Sequence, residues 1–197
     1  MPINKPANAK YKLNTLIKNR WSPRAFSDKN IDNEILNSLF EAARWAASCN
    51  NSQPWRFIVA KKENSEEYAK ALSCFNENNQ KWACTAPVIG FIGAYQLMLG
   101  DKKSRTYFYD TGMAMSQFTL QALEHNLYIH QAGGVLLDEI KLQYDVPDEV
   151  DIICGFALGY QGEASILPEP YNERELQERV RNPIEDFVFT NTFKKAK

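Results

Sequence analysis

A run of small and amide side chains links an apolar, helix-like segment to a short apolar strand pattern. These side chains offer many hydrogen-bonding groups with little bulk, which suits a loop that approaches a flat polar heteroaromatic ring. A simple polar turn is the alternative interpretation. Pro54 forbids helix and fixes the entry into the strand. The candidate ligand-contacting side chains of this loop are Ser48, Cys49, Asn51 and Gln53.

Two arginines flank a serine upstream of that loop. Arg20 and Arg24 lie on either side of Ser22, and Pro23 disfavours helix at Ser22, so the segment should be an irregular loop. Two guanidinium groups and a hydroxyl group in one loop can bind a phosphate from several directions. A solvated basic turn is the alternative.

The two segments together resemble the N-terminal signature of the FMN-dependent nitroreductase family. The matching patterns are Arg-x-Ser-x-Arg-x-Phe at residues 20–26 and Ala-Ala-x-x-Ala-x-Ser-x-x-Asn-x-Gln-Pro-Trp-x-Phe at residues 42–57. The resemblance implies FMN as the cofactor, with its phosphate at the arginine motif. It implies cofactor contacts from both motifs: Arg20, Trp21, Ser22, Arg24, Ser48, Cys49, Asn51 and Gln53.

Two departures from the family pattern fall in the amide loop. Cys49 stands where the family more often has a second serine, and Ala47 where proline is frequent. A thiol can replace a hydroxyl with a weaker hydrogen bond, so we expect flavin binding to persist. A thiol beside a flavin is also a candidate for reaction.

The segment Asn78-Asn79-Gln80-Lys81-Trp82, followed by Ala86-Pro87, resembles a further family segment whose amide and amine reach the flavin ring or ribityl chain. Asn78, Asn79 and Lys81 are therefore candidate cofactor contacts. Which asparagine corresponds to the family position stays open, and a plain helix surface is the alternative.

A third family-like segment is His130-Gln131-Ala132-Gly133-Gly134. The resemblance implies that Gln131, Ala132, Gly133 and Gly134 face the reactive edge of the flavin. Glycine permits close backbone approach, and a main-chain N–H directed at the flavin N5 would stabilise the anion left by hydride transfer. Ala132 stands where methionine is usual. His130 is either a general acid or a packed, hydrogen-bonded histidine.

The C-terminal segment, residues 167–197, is too apolar to remain in solvent. It must pack on this chain or on a second copy. The resemblance implies an arm exchanged in a homodimer, with Arg181 returning to the flavin phosphate. Arg179 could take the place of Arg181.

Composition sets limits on the other functions. The chain has 197 residues, enough for one domain over residues 1–197, and its 44% hydrophobic and 24% charged content is ordinary for a soluble protein. The net charge of −1 provides no basic footprint for nucleic acid or for a membrane surface. The longest apolar run, residues 87–100, is too short to span a membrane, and no apolar signal core is present. We expect a cytoplasmic protein.

Other cofactors and mechanisms find no support in the sequence. The four cysteines contain no C-x-x-C pair, and His125 and His130 are not on one helical face, so metal-ligand spacing is absent. Phosphate-binding P-loop, nucleophile-elbow and H-E-x-x-H motifs are also missing. We expect no side-chain nucleophile.

Apolar periodicity predicts alternating helices and strands, and hence an α+β or α/β class. The predicted helices cover residues 10–18, 35–46 with Asp32 as N-cap, 65–82 in two pieces broken near 76–79, 107–124 and 136–144; the predicted strands cover 55–60, 88–94, 127–131 and 150–158. The resemblance implies a central mixed β-sheet wrapped by helices.

The resemblance further implies an oxidoreductase that passes electrons from NADH or NADPH through FMN to a small nitroaromatic, quinone or similar acceptor by a ping-pong mechanism. Reductive dehalogenation and pteridine or enone reduction are alternatives on the same scaffold. A non-catalytic flavin-binding or redox-sensing module is an alternative outside the enzymes.

Overall fold

The fold is described from a computed structural model, which covers residues 3–98 and 102–193. Its helices are α1 (Thr15–Asn19), α2 (Asn33–Arg44), α3 (Ser65–Ser73), α4 (Glu77–Ala83), α5 (Tyr107–Glu124), α6 (Leu137–Gln143) and α7 (Tyr171–Leu176). Its strands are β1 (Trp55–Lys61), β2 (Val88–Tyr95), β3 (Leu97–Met98), β4 (Lys102–Lys103), β5 (Leu127–Ala132) and β6 (Val150–Tyr160). Short 3₁₀ turns occur at Cys49–Asn51, Ala164–Ile166 and Ile184–Asp186.

Four strands form the main sheet, in the order β1-β2-β6-β5, and each neighbouring pair is antiparallel. The expected mixture of helices and sheet is present, but the expectation of a mixed sheet is wrong for these strands. β2 and β5 run in the same direction and are joined by the long helix α5, which would suit a parallel pair. β6 inserts between them and is antiparallel to both, so no parallel pair forms.

Helices cover both faces of this sheet, and each face has its own apolar core. On one face, α2 and α5 pack over β2, β5 and β6, with Leu39, Phe118 and Phe156 fully buried. On the other face, α3, α4 and α6 surround Phe75, Trp82 and Phe91. The division of the whole chain, residues 1–197, into one domain stays a prediction.

Helix α5 has the bounds that the sequence predicts, residues 107–124. Its three- and four-residue apolar spacing places Ala114, Met115, Phe118 and Ala122 against the sheet. Burial of a phenylalanine of this kind stabilises a fold by about 1.5–3 kcal/mol. None of the helices in the described ranges has both the length and the apolar character that crossing a bilayer would require.

Several boundaries shift by one or two residues, and two differ from the sequence prediction in a way that a capping side chain explains. The first helix begins at Thr15 rather than residue 10, because the Asn14 side chain caps it by accepting from the Leu16 N–H. The break between α3 and α4 falls at residues 74–76 rather than 76–79. Asn76 causes the earlier break: its side chain accepts from the Asn79 N–H at 2.9 Å and starts α4. The end of the apolar run 87–100 lies partly outside the described residues.

The C-terminal segment divides into two parts. Leu167, Tyr171 and Glu175 are buried on their own chain. Beyond them the apolar side chains are exposed, Val180 by 79%, Phe187 by 62% and Phe193 by 81%. The part up to α7 is therefore not an exchanged arm, because its side chains complete this chain's own core. Residues 194–197 of the predicted arm lie outside the described residues.

Candidate functional site

The Arg20–Phe26 loop follows directly after α1. Arg20 is the extended residue that ends this helix, and the loop finishes where Phe26 bridges to Gln161 just beyond β6. The Arg20 Nη1 donates to Ser22 Oγ at 3.1 Å. Trp21 is buried, and the Lys5 ammonium lies 4.7 Å from its ring centroid. Trp21 therefore packs the loop onto the N-terminal segment.

A cavity of about 230 Å³ lies beside this loop and has an unusual concentration of positive charge. Burial lowers the pKa of Arg20, and the neighbouring Arg179 and Arg181 lower it further. Burial likewise lowers the pKa of Arg179, with Arg181 adding to the effect. Such crowding favours a bound anion, because an anion relieves the repulsion. The cationic residues that line the cavity are Lys5, Arg20, Arg24, Arg174, Arg179 and Arg181, and the acidic ones are Glu175 and Glu178.

Arg179 and Arg181 have different roles in this cluster. The Arg179 Nη1 donates to the carbonyl oxygens of Lys5 at 2.7 Å and Lys18 at 3.0 Å, so this side chain ties the tail to the N-terminal segment. Within the described residues, the Arg181 Nη1 donates only to the adjacent Val180 carbonyl. Arg181 is thus the better candidate for a ligand contact. The resemblance in sequence likewise favours Arg181 over Arg179.

A second cavity, of about 360 Å³, adjoins the first through Arg20, Ser22 and Arg181. Gln131 at the end of β5 also lines it. Its wall on the α5 side includes Gly112, where an added Cβ would meet no atom within 4 Å. The structure therefore brings together the 20–24 loop, the end of β5 and the tail.

A third cavity, of about 340 Å³, contains Arg24, Lys81 and both candidate asparagines. The amide of Asn79 is fully engaged: its Nδ2 donates to the Gly134 carbonyl at 3.0 Å, and its Oδ1 accepts from Trp82 Nε1 at 3.1 Å. The side chain of Asn78 is exposed and makes no hydrogen bond to another described residue. Asn78 is therefore the asparagine available to a ligand.

The segment after β5 presents backbone donors. Ala132 is buried and Gly133 exposed, and a side chain at Gly134 would clash with the amide nitrogens of Asn76 and Asn79. The Gly134 carbonyl is used by Asn76 and Asn79. Within the part of the chain that the structure describes, the N–H groups of Gly133 and Gly134 have no hydrogen-bond partner. They are free to donate to a ligand.

The amide loop at residues 48–53 is strained. Asn50, Asn51 and Gln53 all have positive φ, which is uncommon for residues other than glycine and is better tolerated by asparagine than by glutamine. The Cys49 N–H donates to Asp110 Oδ2 at 3.1 Å, and the Gln53 N–H to Ser48 Oγ at 3.0 Å. These backbone bonds leave the side chains of Cys49, Asn51 and Gln53 exposed.

This loop does not join the other candidate residues within one chain. It leads into β1, whereas Gln131 and Ala132 end β5 and Gly133 and Gly134 follow it, and these strands form opposite edges of the sheet. Three strand spacings separate them, roughly 14 Å. No residue from 48–53 lines the three cavities described above.

His130 is a packing residue of the arginine loop. Its Nδ1 lies 2.9 Å from the Pro23 carbonyl oxygen, and its ring centroid lies 4.3 Å from that of Trp82. Because a carbonyl only accepts, Nδ1 carries the proton. Burial, reinforced by the Arg24 charge, lowers the pKa of His130 to about 4. It is neutral at neutral pH, so the general-acid alternative loses its support.

Two buried carboxylates hold the candidate loops, and sequence reasoning missed both. Asp110 is 3% exposed and accepts from Thr106 Oγ1 as well as from Cys49. Glu175 is 1% exposed and accepts from the N–H groups of Arg24 and Ala25. The sequence signal was an acid within a largely apolar helix for Asp110. Glu175 lies in a charged stretch and carried no such signal.

Comparison with known proteins identifies the family. The sequence model of the Nitroreductase family matches residues 17–160. The chain belongs to this family. An oxidoreductase containing FMN, known from its crystal structure, is 34% identical, with a TM-score of 0.90 and coverage of 100% of both chains. A nitroreductase family protein from Clostridium difficile 630 has a TM-score of 0.70 at 24% identity, over 90% of this chain and 97% of that one. These structures confirm the predicted fold.

Curated relatives match over shorter stretches of this nitroreductase-family chain. A Streptococcus pyogenes protein named as a candidate NAD(P)H nitroreductase is 40% identical over 62 residues, 32% of this chain and 30% of that protein. A Stenotrophomonas maltophilia protein named as a candidate NADH dehydrogenase/NAD(P)H nitroreductase is 33% identical over 82 residues, 41% of this chain and 40% of that protein. The chain thus spans well under half the length of these relatives.

Asn79 and Asn78 offer a matched pair for testing the third cavity. We expect Asn79→Ala to lower the free energy of unfolding by about 1–3 kcal/mol, because it leaves the buried Trp82 N–H without its partner. Asn78→Ala should change it by less than about 0.5 kcal/mol, as an exposed surface substitution does. Urea unfolding measures both, and equal effects would contradict the assignment of the two amides.

His130 predicts a dependence of stability on pH. Its pKa is about 4 in the folded state against an ordinary value of 6.5, so below pH 6.5 the unfolded chain binds a proton that the folded chain does not. Stability is fully present above that pH and is lost as pH falls towards 4, by roughly 3 kcal/mol in all. Unfolding by urea across this range should show the loss.

The control for this measurement is the pair His130→Asn and His125→Asn. Asparagine at position 130 can still donate to the Pro23 carbonyl but does not titrate, so the His130 contribution should vanish. His125→Asn leaves His130 in place, so the His130 contribution to the pH dependence should remain. The assignment is wrong if His130→Asn shows the same pH dependence as the parent.

Proposed function

We propose that this chain is an FMN-dependent oxidoreductase that takes electrons from NADH or NADPH and passes them to a small acceptor such as a quinone or a nitroaromatic compound. The observation that carries the proposal is a pair of adjoining cavities that share Arg20 and Arg181. One of them is lined by Gln131, which lies just before the backbone N–H groups of Gly133 and Gly134, and these have no partner among the described residues. The family match and the FMN-containing relative of known structure support it. A cytoplasmic location accompanies it as a prediction.

The donor set fits the phosphorylated end of FMN. Arg20, Ser22 and Arg181 line two adjoining cavities and supply guanidinium and hydroxyl donors. Guanidinium groups bind phosphate oxygens with paired, charge-assisted hydrogen bonds. The crowded cations around them gain stability when a phosphate enters. No second nucleotide fingerprint is present, which favours FMN over FAD.

The flavin ring fits the third cavity and the segment after β5. Asn78, Lys81 and Arg24 offer donors to the polar edge of a flavin. The free N–H groups of Gly133 and Gly134 would stabilise negative charge at the reactive nitrogen. His130 and Asn79 support this arrangement from behind, through the Pro23 and Gly134 carbonyls. The remaining residues of the proposed flavin site pack or tether its walls: Trp21, Gln131, Ala132 and Arg179.

When bound, the flavin supplies two-electron chemistry: the nicotinamide gives up a hydride, and a quinone takes up two electrons and two protons, the second proton coming from solvent. The protein supplies binding, orientation and exclusion of water. The single site alternates between donor and acceptor, which is the ping-pong pattern.

We also propose that the site is completed in a homodimer. Ser48, Cys49, Asn51 and Gln53 lie at the opposite sheet edge from the cationic cavity, so they would contact the flavin of a second copy. The exposed apolar tail beyond α7 and the exposed Tyr109 on α5 provide surface for such an association. Reductive dehalogenation, enone reduction and a non-catalytic flavin module stay as alternatives within this proposal.

The purified protein tests the function directly. We expect it to bind FMN and, once loaded, to oxidise NADH or NADPH in the presence of a quinone or a nitroaromatic acceptor. A protein that binds no FMN contradicts the proposal. One that binds FMN but turns over no acceptor supports the flavin-module alternative.

Arg20→Ala should weaken FMN binding by about 1.5–3 kcal/mol, the scale of a hydrogen bond to a charged group. The matched control is Arg44→Ala, because Arg44 is an exposed arginine on α2 that pairs with Glu41. Fluorescence titration of the apoprotein measures both. Equal affinities in the two variants would place the phosphate elsewhere.

A chain ending at residue 182 tests the homodimer. It keeps every residue that lines the cationic cavity and removes the exposed Phe187 and Phe193. We expect sedimentation to show loss of the dimer, and the bound flavin to be lost with it, because the amide loop must come from the partner. A monomer that retains FMN as well as the full chain does would contradict the shared site.

A further inference from the structure

Glu175 joins three separate parts of the chain at the edge of the cationic cavity. Its Oε1 accepts from the Arg24 N–H at 2.8 Å and from the Ala25 N–H at 3.0 Å, and its Oε2 lies 3.0 Å from the same Arg24 nitrogen. Its backbone carbonyl accepts from Lys5 Nζ at 2.7 Å. The residue therefore links α7, the arginine loop and the N-terminal segment.

The carboxylate is almost fully buried, with 1% exposure. A buried carboxylate is costly unless its oxygens are hydrogen-bonded. Burial raises the pKa of Glu175, while the N–H donors of Ala25 and Arg24 lower it. These backbone donors therefore hold the carboxylate in one orientation. A carboxylate beside a cavity that favours anions would repel an anionic ligand. Its presence there therefore needs a structural explanation.

The geometry supplies that explanation. Arg179 and Arg181 follow Glu175 by four and six residues, and the segment between has no helix to fix it. Arg20 and Arg24 belong to a loop that also lacks regular structure. Two irregular segments hold a set of arginines in register only if something fixes one segment to the other. The Glu175 bonds and the Arg179 bonds to Lys5 and Lys18 form that connection.

We propose that Glu175 is a positioning residue of the phosphate site, whose carboxylate fixes the backbone of Arg24 and Ala25 against α7 and so sets the spacing between the loop arginines and the tail arginines. The inference rests on the proposed function, since it assumes that the phosphate of FMN binds in this cavity. Glu175 need not touch the cofactor.

Two conservative variants distinguish the effect of the length of the Glu175 side chain from the effect of its charge. Glu175→Gln keeps an oxygen that can accept from both N–H groups but removes the charge. Glu175→Asp keeps the charge but is one methylene shorter, so it does not reach both N–H groups. Glu173→Asp, the same substitution at an exposed position of α7, is the control.

The readout is the ratio of the dissociation constants of riboflavin and FMN, measured by fluorescence titration of the apoprotein. Riboflavin lacks the phosphate, so this ratio reports on the phosphate site alone. We expect Glu175→Asp to lower the ratio about tenfold, because a misplaced arginine would lose one charge-assisted hydrogen bond to the phosphate. Glu175→Gln should stay within about threefold of the parent, and Glu173→Asp should match it.

Three results would overturn the inference. The ratio is unchanged in Glu175→Asp; or Glu175→Gln falls as far as Glu175→Asp, which would assign the effect to charge; or riboflavin and FMN lose affinity equally, which would assign Glu175 a merely structural role. If the parent protein itself binds FMN no better than riboflavin, the phosphate site of the proposed function fails, and the inference fails with it.

Discussion

Repulsion between arginines is the constraint on which this structure depends. Arg20, Arg179 and Arg181 come from opposite ends of the chain, yet they share a cavity in which burial lowers the pKa of Arg20 and of Arg179, and neighbouring arginines lower both further. Such an arrangement does not form for its own stability. The buried Glu175 carboxylate lies near the charges of Arg24 and Lys5, and Arg179 donates to two backbone carbonyls. Among the residues that the structure describes, Arg181 has only the adjacent Val180 carbonyl as an acceptor. The unrelieved part of the repulsion is available as binding energy for an anion.

Sheet order imposes the second constraint. Because β6 inserts between β2 and β5, the edges of the sheet are β1 and β5, and each edge carries one of the two polar segments. The amide loop enters β1, and the glycines follow β5. Within one chain the two segments therefore lie at different edges of the sheet. The homodimer in the proposed function would let the amide loop of one copy reach the cavity of the other.

The sequence predicted most helices and strands because their apolar spacing is regular, as in α5 and β2. It also identified the segments that line the cavities, since arginines, amides and glycines are recognisable without a structure. Besides the two buried carboxylates, three features escaped it. The antiparallel sheet depends on which strand inserts where, and no local pattern encodes that. The choice between Asn78 and Asn79 depends on which amide meets the Gly134 carbonyl and the Trp82 indole. The role of His130 depends on a carbonyl more than a hundred positions away in the chain.

Helix α5 connects the two constraints. Its first turn carries Asp110, whose carboxylate holds the strained amide loop through the Cys49 N–H. Gly112 and Ser116, on the exposed side of the same helix, line the cavity that contains Arg20 and Arg181. A larger side chain at these two positions would reduce that space. The same helix therefore holds the amide loop through a buried carboxylate. Its small residues also leave space beside the arginine loop.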